Sequence, residues 1–531
     1  MPACPPHIGG VRLQPDLVSV VLGAYDDLLM KKLSFVAVAL CLLAGPAGAQ
    51  TTASGELGTI QFPTSAAGAA QSAFLTGVKA LHNFEFDTAA DAFRAAQNAD
   101  PGFALAYWGE AMSFNHPLWA QQDIASARKV LERLAPTAAA RSAKAPAGKE
   151  RDFVEAVDVL YGVGDKYARD VAYSAAMKRM YDKYPGDDEI ATLYALSLLG
   201  LGRPGESNLR NAMQAAAIAE GIFQRNPKHP GAAHFIIHSF DDPDHAILAL
   251  PAARAYAKIA PSAAHALHMP SHIFVQLGLW DDVVASNTVA YKAAVDLAEA
   301  KNLPRGREDF HTLSWLQYGY LQQGKFDEAD KTLAAARAVA DKDKSPGVSN
   351  GYASMKARQI VETGKWEKIA IPAAAVRDGG APGYDGSAAY VLAAGLGAAK
   401  LGDLETANIA LERLRGLRTQ AESGSNAYRA KPFAIMEKEV AATIAAAKKD
   451  AAGAEQLLKD ATAIELGLDA PSGPADPIKP SFELYGELLL DQGRMKDAAA
   501  QFQQSLARTP NRRLSVQGLQ RASAQRSTAG Q

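Results

Sequence analysis

The sequence predicts an all-α protein, a solenoid of stacked helical hairpins, and three observations support that fold class. Similar segments recur along the chain, among them LQQGKFDEADKTL (321–333) and GLGAAKLGDLETANIAL (395–411). Each of them places a glycine-containing turn between two amphipathic helices, which is the pattern of a helical hairpin. No alternation of apolar and polar residues along the chain is long enough to form a sheet.

Composition sets the broad class of the protein. The chain has 531 residues, of which 48% are hydrophobic and 21% are charged. These values are typical of a globular protein that is too long for one compact core. The formal net charge is only −2, and the lysines and arginines form no stripe along the sequence. The sequence therefore predicts no nucleic-acid partner.

A secretory signal peptide is predicted at residues 30–49. Met30 and two lysines precede the apolar run LSFVAVALCLLAG, and Ala47-Gly48-Ala49 supplies the small residues of a cleavage site. The apolar run is too short to span a membrane comfortably. We therefore expect a periplasmic or secreted mature chain without an integral membrane segment. Residues 1–29 are predicted to be a misassigned extension, with the true start at Met30.

Both cysteines of the chain, Cys4 and Cys41, lie in the segments predicted to be absent from the mature protein. A lipoprotein anchored at Cys41 is the alternative to cleavage, but Leu40 is a poor residue just before a lipidated cysteine. A mature chain without cysteine has no disulfide, no thiolate ligand and no thiol nucleophile. Any metal ion would then be held by histidine, aspartate or glutamate.

The repeated unit fits a frame of about 34 residues in which small residues stand where two helices touch and large residues stand between them. The C-terminal match places its residues at frame positions 4, 7, 8, 11, 15, 20, 24 and 32, in the order Phe482, Tyr485, Gly486, Leu489, Gly493, Ala498, Phe502 and Pro510. The N-terminal match places its residues at positions 8, 17, 20, 24, 27 and 32, in the order Gly77, Phe86, Ala89, Phe93, Ala96 and Pro101.

In this frame the chain resembles tetratricopeptide repeat (TPR) proteins. The resemblance implies a right-handed superhelical solenoid with a ligand-binding concave groove. We expect an N-terminal array at 70–340, a C-terminal array at 352–520 and a flexible tail at 521–531. Three segments also resemble a narrower group of exported bacterial TPR proteins, namely YWGEAMSFNHPLW (107–119), AHFIIHSFDDPDHA (233–246) and HALHMPSHIF (265–274). This narrower resemblance implies the fold and the place of the site, but no reaction.

Histidine is strongly concentrated in the centre of the chain. Seven of the eleven histidines fall between His229 and His272. In TPR proteins the first helix of each hairpin lines the groove, so the resemblance assigns residues to groove positions. The seven histidines that the frame places there are His82, His116, His238, His265, His268, His272 and His311.

Four of these histidines are predicted to hold a divalent metal ion. They are His238, His265, His268 and His272, from two adjacent helices. Nitrogen and oxygen donors admit several transition metals, and we place zinc first, while Met269 weakly favours copper. Asp241 lies in the turn after His238. It is expected to act as a further metal ligand or as a hydrogen-bond acceptor that orients a metal-binding histidine.

The other histidines receive different predictions. His82, His116 and His311 are expected to contact a ligand in the groove. His234 shares a helix face with His238 but is expected to pack against the partner helix, and His229 is expected to be exposed in a proline-rich turn. A groove that binds carboxylates or peptides through protonatable histidines, without a metal cofactor, would use the same residues.

Pro270 leaves the local geometry open. Proline lacks an N–H and clashes with the preceding helical turn, so it either kinks the helix or begins it. If the helix begins at Pro270, then His265 and His268 lie in an approach segment. A kink would instead re-aim the ligands within one helix.

Three functions fit these observations. The leading hypothesis is an exported TPR protein that binds a protein partner or a small ligand in its groove, with a histidine-rich metal centre. The first alternative is a metal-dependent enzyme in which Asp241 or Glu110 acts as general base. The second is a structural adaptor whose groove binds a protein terminus. The sequence contains no HExxH or phosphate-binding glycine motif that would name a reaction.

Overall fold

The computed structural model describes residues 56–203, 205–306, 308–369, 371, 388–424 and 427–528. The predicted extension at 1–29 and the predicted signal peptide at 30–49 therefore lie outside the described residues. Within the described part, no helix is both long enough and apolar enough to cross a membrane.

Helices account for almost all of the regular structure. The N-terminal helices are α1 Gly68–His82, α2 Phe86–Ala99, α3 Ala104–Met112, α4 Ile124–Leu134, α5 Ala138–Lys144, α6 Lys149–Leu160, α7 Lys166–Lys183, α8 Asp188–Leu199 and α9 Leu209–Arg225. A small antiparallel pair of strands, β1 Asn115–His116 and β2 Gln121–Gln122, flanks the short 3-10 helix Pro117–Trp119.

The central helices carry the histidine-rich segments. They are α10 Pro230–Ser239, α11 Ala246–Ile259, α12 Ala264–His268, α13 Pro270–Gln276, α14 Trp280–Ala300, α15 Glu308–Gln322, α16 Phe326–Ala340 and α17 Pro346–Thr363. The C-terminal helices are α18 Ala388–Lys400, α19 Leu404–Glu422, α20 Lys431–Ala447, α21 Ala451–Leu466, α22 Ser481–Asp491, α23 Met495–Arg508 and α24 Arg513–Thr528, with a 3-10 helix at Ala427–Ala430.

Consecutive helices pack against each other along the chain, which confirms the all-α array of helical hairpins. Small residues allow the close approach within a hairpin. A Cβ at Gly77 would lie 2.7 Å from the ring of Phe93, and one at Gly486 would lie 2.8 Å from the ring of Phe502. These are the pairs that the repeat frame places at positions 8 and 24. The right-handed superhelix implied by the resemblance stays a prediction.

The apolar core forms two large clusters. One extends from Leu57 to Tyr318 and the other from Ala357 to Ala522, and a smaller cluster around Phe310 and Met355 lies between them in the sequence. Helices α16, α17 and α18 pack in succession across the predicted boundary between the two arrays.

The C-terminal end of the array packs against its middle. Arg512 is fully buried and contacts Glu362, Glu483 and the hydroxyl of Tyr318. In the loop before α22, the carbonyl of Pro471 accepts a 2.8 Å hydrogen bond from Gln276 Nε2. These contacts tie the end of the chain to helices α13, α15 and α17.

The end of the chain differs from the sequence-based expectation. Helix α24 continues through Thr528, into the segment for which a flexible tail is predicted. The physical reason is that Ala522 is buried in the C-terminal core, so the helix has an apolar contact that holds it.

Candidate metal centre

Helices from three consecutive hairpins bring six histidines together. Helix α10 carries His234 and His238, α12 carries His265 and His268, α13 carries His272, and α15 carries His311. The six residues form two groups of three, in each of which one ligand atom per residue lies within 4.8 Å of the others. We call His234, His238 and His265 triad A, and His268, His272 and His311 triad B.

Pro270 kinks the helical segment that carries His265, His268 and His272. Helix α12 ends at His268 and α13 begins at Pro270, but Met269 between them keeps helical angles, with φ −53° and ψ −34°. Its N–H donates to the carbonyl of His265 at 2.9 Å. Proline is well accommodated at the first position of a helix because it has no N–H to leave unsatisfied. His265 thus stays in helical structure rather than in an approach segment.

In triad B, hydrogen bonds fix which ring nitrogen carries the proton. His268 Nδ1 lies 2.7 Å from Asn287 Oδ1, and the amide of Asn287 is oriented by donation from Nδ2 to the carbonyl of Val283. His272 Nδ1 donates to the carboxylate of Asp241 at 2.7 Å. Because amide and carboxylate oxygens only accept here, both Nδ1 atoms carry hydrogen, and Nε2 is the atom that each ring can offer to a metal ion.

The Nε2 atoms of triad B converge on one point. His268 Nε2 lies 3.2 Å from His272 Nε2 and 2.9 Å from His311 Nε2. Two lone pairs at this separation repel each other unless a cation lies between them. Tetrahedral zinc with nitrogen ligands at about 2.0–2.1 Å requires nitrogen–nitrogen separations of about 3.3 Å. Triad B therefore has the spacing of a three-imidazole metal site.

The indole of Trp315 packs against triad B. Its ring centroid lies 4.4 Å from that of His272 and 5.0 Å from that of His268. A Cβ at Gly473, in the loop before α22, would lie 2.6 Å from the indole, so this loop covers Trp315. The apolar cover restricts solvent on one side of the triad, while His311 remains exposed on the other.

Triad A has a similar arrangement. His234 is fully buried, and its Nδ1 donates to the carbonyl of His82 at 2.7 Å, which leaves a lone pair on Nε2. This Nε2 lies 3.0 Å from His238 Nε2. His265 Nε2 is buried and has no hydrogen-bond partner within the described residues. A buried nitrogen without a partner is costly unless a ligand satisfies it.

Burial favours the neutral form of four of these histidines. Desolvation lowers the pKa of His238, His265 and His268 well below the usual value of 6.5, and the charge of neighbouring histidines lowers it further. The same causes lower the pKa of His234 to about 3. Neutral imidazoles have the lone pairs that metal ions require.

Phe84 forms one wall of triad A. Its ring centroid lies 4.3 Å from that of His234 and 5.5 Å from that of His265. The backbone of Phe84 is left-handed, with φ 56°, which is strained for a bulky residue. Such strain persists where the surrounding structure fixes the residue, and it concentrates at functional sites.

A cavity of about 460 Å³ opens beside triad A. His265 and His116 line it, and the aromatic lining residues are Phe84, Phe86, Phe114 and Trp119. His116 belongs to β1 and stacks on Phe86 with ring centroids 3.9 Å apart. The structure thus places His116 beside a ligand-sized space, although on a strand rather than at the end of a helix.

Two predictions about the other histidines are corrected. His82 does not face a groove and His229 is not exposed, because both are buried around Glu189. His82 Nε2 lies 2.7 Å from this carboxylate and His229 Nε2 lies 3.1 Å from it. His229 Nδ1 accepts from the N–H of Ala232, so its Nε2 carries the proton for Glu189. Hydrogen bonds thus connect both histidines to Glu189, whereas His82 Nδ1 is buried without a partner within the described residues.

The two predicted general bases are engaged elsewhere. Asp241 accepts the hydrogen bond that orients His272. Glu110 is buried and forms ion pairs with Arg94, at 2.9 Å, and with Arg133. Asp241 therefore orients the candidate metal ligand His272, and Glu110 belongs to a structural cluster of ion pairs.

The four histidines predicted as one metal site are divided between the triads. His238 and His265 belong to triad A, and His268 and His272 belong to triad B. His234 completes triad A and His311 completes triad B, and neither residue was predicted to bind the metal ion. The i,i+4 spacing of His234 and His238 was the signal for the first. For His311, the signal was its groove position in the next repeat.

Comparison with known proteins adds little to this geometry. No protein-family model matches the chain, and no curated protein matches it either. Solved structures with some similarity include the APC/C hetero-tetramer Cut9–Hcn1, with 15% identity and a TM-score of 0.34 over 85% of this chain and 76% of that one. A monomeric IFIT1 mutant with Gppp-AAAA has 12% identity and a TM-score of 0.38 over 86% and 100%. The P58(IPK) TPR domain has 12% identity and a TM-score of 0.21 over 87% and 99%.

All three TM-scores are below 0.5 and all three identities are below 25%. These similarities therefore carry no argument about the site or its ligand. The hairpin array is established by the helices of this chain themselves.

Proposed function

We propose that this protein is an exported helical-repeat protein that holds a divalent metal ion, zinc first, in triad B and binds a ligand in the cavity beside triad A. One observation carries the metal proposal. His268 Nε2 and His272 Nε2 lie 3.2 Å apart while both Nδ1 atoms are occupied by Asn287 and Asp241. A cation between the two lone pairs resolves this conflict.

The donor set favours zinc over the hard cations. Magnesium and calcium prefer oxygen ligands, whereas imidazole suits zinc, copper and nickel. Three protein ligands leave a fourth position of tetrahedral zinc open for water or for another ligand. The exposure of His311 gives this position a route to solvent. Export, predicted from residues 30–49, belongs to the same proposal.

A zinc titration tests the metal proposal. Full-length chain freed of metal with a chelator is titrated with zinc by calorimetry, and zinc content after dialysis is measured by elemental analysis. We expect stoichiometric zinc, and an affinity at least tenfold weaker for His311→Ala. His245→Ala is the matched control, because His245 bonds to Asp242 outside both triads. Wild-type protein that retains no zinc would refute the proposal.

The cavity favours a small ligand with an aromatic body and a positive charge. Its volume of about 460 Å³ falls in the range of small-molecule sites, roughly 300–1,000 Å³. Trp119, which is 47% exposed, offers a flat surface beside His265. The carboxylates of Glu85, Asp87 and Asp309 line the cavity; Asp309 is paired with Arg305, and the lining cation Arg94 is paired with Glu110 and Asp91.

Benzylamine and benzoate serve as probes of this cavity. We expect saturation-transfer NMR to detect benzylamine at lower concentration than benzoate, because the lining carboxylates attract a cation. Trp119→Ala should weaken benzylamine binding several-fold, whereas Trp366→Ala, in the C-terminal array, should not. Equal binding of both probes, unchanged by Trp119→Ala, would contradict this part of the proposal.

A further inference from the structure

We infer that triad A holds a second metal ion, so that the six histidines of the two triads form a dinuclear centre beside the cavity. This inference rests on the proposed metal at triad B. It adds His234, His238 and His265 as the ligands of the second ion.

The first argument is that hydrogen bonding does not satisfy triad A. His234 Nδ1 is bound to the carbonyl of His82, so the His234 lone pair points from Nε2 towards His238 Nε2, 3.0 Å away. If His238 donates its proton to this lone pair, the contact between these two rings is explained. His265 Nε2 then remains buried without a partner within the described residues. A metal ion satisfies all three rings together.

The second argument is the contrast with the cluster around Glu189. There, two buried histidines share a carboxylate that accepts from both, at 2.7 Å and 3.1 Å. Triad A has no such acceptor among its own members, which are three imidazoles. The two clusters are adjacent, because His234 Nδ1 of triad A is hydrogen-bonded to the backbone carbonyl of His82 in the cluster around Glu189. The same region thus contains one histidine cluster built around a carboxylate acceptor and one cluster without such an acceptor.

The two triads are neighbours in space. The ring centroids of His238 and His272 lie 6.1 Å apart, and those of His265 and His268 lie 6.4 Å apart. The rings of one triad thus contact those of the other, and the two ions would lie side by side. Paired metal ions in proteins typically lie about 3.5–4 Å apart and share a bridging ligand.

The chemistry of the ligands restricts the class of metal. Six imidazoles without a carboxylate in either triad suit zinc and copper, and do not suit magnesium, calcium or manganese. His265 belongs both to triad A and to the cavity wall. A ligand bound in the cavity would therefore lie beside one of the residues that would hold the second ion.

Metal stoichiometry tests the dinuclear centre. Metal-free full-length chain is titrated with zinc, and we expect two equivalents for the wild type. His265→Ala and His311→Ala should each retain one equivalent. These two substitutions are matched, because each removes one imidazole from one triad and leaves the three imidazoles of the other triad in place. His245→Ala is the control that should retain two equivalents.

The possible results separate the two proposals. One equivalent in the wild type that His265→Ala leaves unchanged and His311→Ala removes would overturn the second site and keep triad B. One equivalent that both variants remove would indicate a single site shared between the triads, which also overturns the dinuclear centre. Absence of bound zinc would refute both proposals. Far-ultraviolet circular dichroism and thermal unfolding check that each variant is folded.

Copper provides an independent readout of the distance between the ions. With two equivalents of Cu²⁺ bound, the electron paramagnetic resonance spectrum of the wild type should be broadened or reduced by coupling between neighbouring ions. His265→Ala and His311→Ala should each give the sharp spectrum of one isolated Cu²⁺. Two equivalents of copper with unbroadened, uncoupled spectra would contradict a dinuclear centre.

Discussion

Asp241 and His272 are joined by a hydrogen bond of 2.7 Å between the carboxylate Oδ2 and the ring Nδ1, although 31 residues separate them in the chain. The bond connects the turn after α10 to α13, and it directs the Nε2 lone pair of His272 at His268. Carboxylates behind metal-binding histidines orient the ring and raise its basicity.

Replacement of this carboxylate should weaken metal binding without removing a ligand. We expect Asp241→Ala to lower zinc affinity about 10–100-fold, because His272 loses its fixed tautomer and orientation. Asp244→Ala is the matched control, since Asp244 is an exposed aspartate three residues away. Calorimetric titration of both variants measures the effect. Equal affinities for Asp241→Ala and the wild type would refute an orienting role.

The close packing of α2 on α3 predicts a large effect for one added methyl group. A Cβ at Gly109 would overlap the ring of Phe93, which is fully buried. Gly109→Ala should therefore lower the free energy of unfolding by about 1–3 kcal/mol. Gly416→Ala is the control, because a Cβ there meets no atom within 4 Å in the middle of α19, and it should raise stability by about 0.5–1 kcal/mol. Thermal unfolding midpoints should move in opposite directions.

Arg512 stabilises the contact between the last helix and the middle of the array. It is fully buried between Glu362 and Glu483, so its removal leaves two buried carboxylates without their cation. We expect Arg512→Met to lower the free energy of unfolding by about 3–5 kcal/mol. Arg521→Met, at an exposed position of α24, should change it by less than about 0.5 kcal/mol. Comparable denaturation curves for the two variants would contradict this role of Arg512.

Glu189 predicts a pH dependence of stability. Burial alone would raise its pKa, but the charge and hydrogen bonds of His82 and His229 lower it from 4.5 to about 2. A carboxylate whose pKa is lowered on folding stabilises the protein above its unfolded-state pKa. This stabilisation is therefore present above about pH 4.5 and is lost as the pH falls towards 2.

Glu189 Oε2 accepts a buried hydrogen bond of 2.7 Å from His82 Nε2. Glu189→Gln should thus cost about 2 kcal/mol at pH 7, the value of hydrogen bonds to a charged group. The difference from the wild type should shrink between pH 4.5 and pH 3. Thermal unfolding at pH 7, 4.5 and 3 measures this, and a difference that grows on acidification would exclude the mechanism.

The repeat frame predicted much of this architecture because it records local packing. Gly77 with Phe93, and Gly486 with Phe502, are in contact as positions 8 and 24 require. The frame also placed His238, His265, His268, His272 and His311 on one surface, and the structure brings all five into the two triads.

What the frame could not supply was tertiary context. His229 stands in a proline-rich turn, yet the turn is buried because Glu189 on α8 accepts from its ring. His82 turns inward to the same carboxylate. His234 was assigned to packing, which is correct for its buried ring, but its Nε2 also meets His238. Such contacts depend on which residue faces each side chain from another helix.

Triad A draws its ligands from α10 and α12, and triad B from α12, α13 and α15, so the two ions together would link three successive hairpins. In an ordinary repeat array each unit interacts only with its neighbours, so terminal and internal units open separately. With both ions bound, the three hairpins would unfold cooperatively, because local unfolding of any one hairpin would remove ligands from at least one ion. Zinc should then slow amide hydrogen exchange throughout α10–α15 and leave the exchange of α18–α21 unchanged. Bound zinc would thus stabilise the contacts between repeats in addition to any chemical role.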